Sequence, residues 1–95
     1  MMLAEFLAAR LDEDEAWARD TDLLAVAHPI HAIAGRVLRE VEAVRHIMDL
    51  CAHSLSYEPP VPARKRGEWA LASLVLEGLA LPYADHPDYD EAWRP

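Results

Sequence analysis

Ninety-five residues, 53% of them apolar, carry a formal charge of −8 and a single cysteine. That is enough apolar material for one modest globular core and too much for a disordered chain. The negative charge argues against direct binding to nucleic acid, which needs cations to displace counterions from phosphates, and Cys51 alone cannot form an intrachain disulfide, which fits a reducing, cytoplasmic setting.

The first predicted helix runs over about 3–20. Leu3, Phe6, Leu7 and Leu11 recur at helical spacing, and Trp17 is expected to resume that face. Asp12-Glu-Asp-Glu15 interrupts the stripe with consecutive acids, which a 100° step spreads around the helix. Arg10 and Arg19 are spaced to pair with Asp14 and Glu15. The acidic run reads either as a solvated face or as a surface for a cationic partner. After it, Thr21 or Asp22 can cap a short further helix, or the first helix continues; Pro29 ends whichever forms.

The strongest periodicity spans 30–55. Ile30, Ile33, Val37, Val41, Val44, Met48, Cys51 and Leu55 fall at alternating steps of three and four, near the repeat of a coiled-coil seam. Such a helix is about 39 Å long, more than a monomer of this size readily covers, so continuation in a partner chain is expected. Glu42 is placed to pair with Arg45 or His46. A proline-rich basic loop is expected over 56–67, containing Pro59-Pro-Val-Pro62 and Arg64-Lys-Arg66. A third helix over 68–81 is apolar around most of its circumference, through Trp69, Leu71, Leu74, Val75, Leu76 and Leu79, and Pro82 stops it. Gly35 and Gly78 are expected to allow close helix packing. The tail, 82–95, holds Tyr83, Tyr89 and Trp93 among three prolines; with Trp17 and Trp69 these aromatics are expected to tie the tail to the bundle.

Phe6-Leu-Ala-Ala-Arg-Leu-Asp-Glu-Asp-Glu-Ala16, Arg36-Val-Leu-Arg-Glu-Val-Glu-Ala43 and Leu79-Ala-Leu-Pro-Tyr-Ala-Asp-His-Pro-Asp-Tyr-Asp-Glu-Ala-Trp-Arg-Pro95, in that order, resemble a family of small uncharacterised proteins of actinobacteria, notably streptomycetes, and their phages. The resemblance covers a third to a half of the chain and implies a lineage without an activity. Members of that family carry a longer middle, often with more cysteines, so no metal role of those cysteines transfers to this chain.

The expectation is therefore an all-α fold: a small bundle of three main helices with a short ordered C-terminal element, forming one domain over 1–95. The leading functional reading is a non-enzymatic protein-interaction module that self-associates as a homodimer, with Val37, Val41, Val44, Met48, Leu74, Tyr83, Tyr89 and Trp93 as its interaction residues. The alternatives are an acidic, antitoxin-like inhibitor covering a basic site on a partner, and a small metal-dependent enzyme using His28, His31 or His86. The enzyme reading is disfavoured. There is no Cys-x-x-Cys, no His-Glu-x-x-His and no glycine-rich phosphate loop; Cys51 lies on an apolar stripe, and no carboxylate pair is placed for acid–base work. No cofactor is expected, and no segment reaches the roughly 20 apolar residues of a membrane span.

Overall fold

The computed structural model describes residues 1–24, 30–57 and 60–95. Within them the chain is all-α. The helices are α1 (Leu3–Leu24), α2 (Ile30–Leu55) and α3 (Arg66–Ala80), with short 3-10 turns at Ala63–Lys65, Leu81–Tyr83 and Glu91–Trp93. They pack into a slab of 54 × 26 × 17 Å. At that thickness most helical faces remain near solvent.

α1 extends past its expected end at Asp20 because no glycine or proline interrupts the chain before Leu24. Pro29 and His28 lie outside the described residues. α2 ends where the Ser56 N–H and hydroxyl both donate to the His53 carbonyl, at 3.2 and 2.6 Å. The basic run, expected in a loop, is partly helical: Arg64 and Lys65 form a 3-10 turn, and Arg66 and Gly67 open α3. The Ser54 hydroxyl donates to Glu68 at 3.0 Å, and Lys65 reaches the same carboxylate at 3.3 Å. These bonds, Ser54 first, hold the Glu68 carboxyl below its ordinary range.

The main core is small. Leu7 and Leu11 of α1, Val41 of α2 and Leu76 of α3 are buried together, with Leu3, Val37, Val44, Met48, Leu55, Leu79 and Tyr83 packed around them. Two expectations fail in this region. Ala18, fully buried, takes the inward position, while Trp17 is 45% exposed. The reason is register: Ala18 lies seven residues after Leu11, two helical turns further along the same face, and Trp17 is rotated about 100° from it. Gly35 and Gly78 mark no close helix approach. A Cβ at Gly78 would meet nothing within 4 Å, and one at Gly35 would meet only the Arg39 guanidinium at 3.5 Å. The α2 stripe is also incompletely covered, leaving Ile33 at 55% exposure, and Leu50 on the same helix is 67% exposed.

Candidate functional site

The start of α1 and the tail form a second cluster. Phe6 and Ala80 are fully buried with Tyr89, and Leu3, Tyr83, Ala84 and Trp93 pack against them. The tail reaches this position through successive turns. His86 N–H donates to the Tyr83 carbonyl at 2.9 Å, Tyr89 N–H to His86 at 3.0 Å, and Trp93 N–H to Asp90 at 2.9 Å. Asp90 caps the last turn by accepting from Ala92 N–H at 2.9 Å.

Phe6 is the hub. Its ring lies 5.6 Å from His86, 5.9 Å from Tyr89 and 5.1 Å from Trp93, and Tyr89 and Trp93 meet edge-on at 5.6 Å. Edge-to-face geometry directs the positive ring edge at the negative face, adding to the area buried. Arg94 covers the outer side of Tyr89 at 5.9 Å and is held by two bonds to Glu91 at 2.8 and 3.2 Å. Trp17 and Trp69 take no part in this cluster, in contrast to the expected arrangement.

Polar contacts lock the tail to α1. Arg10 is only 7% exposed, and its guanidinium lies 5.1 Å from the Phe6 ring centre. It donates to Glu13 at 2.9 Å, one position short of the expected Asp14, and to the His86 ring, whose Nδ1 lies 2.9 Å away. The same guanidinium nitrogen lies 2.6 Å from Nε2, so it sits against both ring nitrogens, and the Asp88 N–H donates to Nδ1 at 3.0 Å. Asp14 is occupied elsewhere, accepting from the Tyr83 hydroxyl at 2.6 Å. Burial, and then that carboxylate, push the Tyr83 hydroxyl well above its ordinary pKa.

The rest of the acidic run clamps α1 to α2. Arg45 donates to Asp12 at 2.7 Å and to Glu15, crossing between helices instead of using Glu42 on its own. Glu15 also accepts from Arg19 at 3.2 Å. The hydrogen bond from Arg45, then that from Arg19, hold the Glu15 carboxyl below 4.5, and the Glu15 bond raises Arg45. A carboxylate depressed in the folded state contributes stability above its unfolded value, and the contribution is lost as pH falls through the folded value. The thermal midpoint should therefore drop as the solution is acidified below about 4.5. Glu15→Gln should show a shallower drop in that window, and an unchanged slope would mean that the clamp adds nothing to stability.

The candidate interaction residues separate into distinct places. Val41 is in the main core, with Val37, Val44 and Met48 half-buried around it; Tyr89 is buried and Trp93 half-buried at the Phe6 cluster; Tyr83 touches both clusters. Leu74 stands apart, 58% exposed on the outer side of α3. Val37, Val44 and Tyr83 also line an open apolar groove of about 470 Å³ with Trp17 and Leu79. Sequence reasoning missed Arg10, His86 and Arg45 as cross-element ties. The only signal was the spacing of Phe6, Arg10 and Asp14, one turn apart on α1. Among the described residues no group of three or more His, Cys, Asp or Glu side chains is arranged to hold a metal ion, and no helix is long and apolar enough to cross a membrane. His86 faces Arg10 and Phe6, and Cys51 is half-buried.

Fold and site together define a thin all-α domain closed by an aromatic tail. The chain belongs to DUF6221, a family of unknown function, whose model matches residues 1–95. No curated protein and no solved structure matched it.

Proposed function

We propose that this protein is a non-enzymatic interaction module that associates with itself. The carrying observation is the apolar surface left outside a small core: Ile33, Leu50, Leu71, Leu74 and Leu81 are all at least 40% exposed. Large apolar side chains left on a thin slab favour a partner. A cytoplasmic setting and the actinobacterial or phage lineage belong to this proposal, resting on the free cysteine and on the stretches 6–16, 36–43 and 79–95.

The inhibitor reading draws less support. Asp12 and Glu15 hold Arg45, Glu13 holds Arg10, and Asp14 holds Tyr83, so the run most suited to a basic partner is engaged within the chain. Sedimentation equilibrium tests the leading reading. Mass should rise above the monomer value at tens of micromolar, roughly where weak dimers appear. A constant monomer mass through several hundred micromolar would sink it.

A further inference from the structure

Leu71, Leu74, Gly78 and Leu81 recur at steps of three, four and three along α3 and the turn that extends it. The leucines are 64, 58 and 40% exposed, and the space above Gly78 is open. The leucines lie on the side of α3 opposite Ala72, Leu76 and Ala80, which are buried, and Gly78 stands where that side meets the groove lined by Val37, Val44 and Tyr83. The helix therefore has two apolar faces, and the fold uses one.

We infer that the outer face of α3 is the docking surface for a second copy of this chain, paired antiparallel. The inference rests on the self-association reading and names its surface. The pattern is self-complementary about position 76. Antiparallel pairing sets Leu71 opposite Leu81 and Leu74 opposite Gly78, so that each Leu74 fills the space left by the glycine of the other copy. A parallel pairing would stack Leu74 on Leu74 and Gly78 on Gly78, leaving a gap at the glycines.

Charge selects the same orientation. The amino end of α3 carries Arg64, Lys65 and Arg66, and its carboxyl end leads into Asp85 and Asp88, both exposed. Antiparallel copies place each basic end beside the acidic end of the other, whereas parallel copies bring like charges together. Opposed helix dipoles add to the preference. A single helix face is smaller than a standard interface of about 1,200–2,000 Å². The dimer is accordingly weak, with a dissociation constant on the order of 10 μM.

Sedimentation equilibrium on the full chain and two variants tests the surface. Leu74→Lys places a charge in the seam from a position already exposed. Gly78→Gln fills the open space, and it removes a helix-weakening glycine, so the monomer stays folded. Both should raise the dissociation constant by about tenfold or more, with helical circular dichroism retained. A parent that dimerises while Gly78→Gln dimerises equally well overturns the α3 surface and leaves self-association standing. A parent that is monomeric throughout overturns both. Orientation is read in a Cys51→Ser background: Leu71→Cys mixed with Leu81→Cys should give a disulfide-linked heterodimer under mild oxidation. Preferential linkage of Leu71→Cys to itself would overturn the antiparallel arrangement.

Discussion

Removal of residues 83–95 should lower the thermal midpoint sharply or render the protein insoluble. The truncation strips Tyr89, Trp93 and His86 from the fully buried Phe6 ring and leaves Phe6 and Ala80 facing water. It also removes two of the partners of Arg10, His86 and the Asp88 carboxylate 4.0 Å away, leaving that guanidinium with Glu13. Losing two packed aromatic rings costs on the order of 3 kcal/mol before the ordering entropy of the tail is returned. A domain of this length has a total margin of about 5–15 kcal/mol. Differential scanning calorimetry of the truncated and full chains decides the matter. An unchanged transition would mean that the tail is held for recruitment of a partner and not for stability.

Val41→Asp should be the most damaging single substitution in α2. Val41 is 3% exposed, between Leu7 and Leu11 of α1 and Leu76 of α3. A carboxylate there faces apolar groups and has to be buried unpaired or protonated, at a cost of about 3–5 kcal/mol. Ile33→Asp, on the same helix but 55% exposed, is the matched control and should shift stability by roughly 0.5 kcal/mol or less. Urea unfolding of both variants gives the comparison. Equal midpoints would show that α2 does not bury the face assigned to it.

The all-α class was legible because alternating steps of three and four through Val37, Val41, Val44 and Met48 have no reading other than a helix, and glycine is scarce. The connections between elements were not. Arg45 has Glu42 within reach on its own helix, yet it binds Asp12 and Glu15, more than 29 positions away in sequence. A long cationic side chain can satisfy either geometry, and spacing along one helix cannot rank them. The same holds for Arg10, which meets His86 across 76 positions. The aromatic character of the tail is plain in the sequence, but its anchor is Phe6 in place of Trp17 and Trp69. Which aromatic turns inward depends on how α1 is rolled against α2, and a single residue of rotation exchanges Trp17 for Ala18. The outer face of α3 was visible only as apolarity all around that helix. Dividing it into a buried side and an open side requires the other two helices.

The thinness of the slab bears on how the protein behaves hydrodynamically. Its radius of gyration is 15.8 Å. A compact chain of this length would have about 12 Å, and a spread of 15.8 Å is that of a compact chain of roughly twice the length. One copy therefore elutes from a sizing column somewhat ahead of a globular protein of the same mass. Elution volume reports the elongation of this molecule before it reports its mass, and a shift toward higher apparent size is no sign of association unless light scattering records the mass at the same moment.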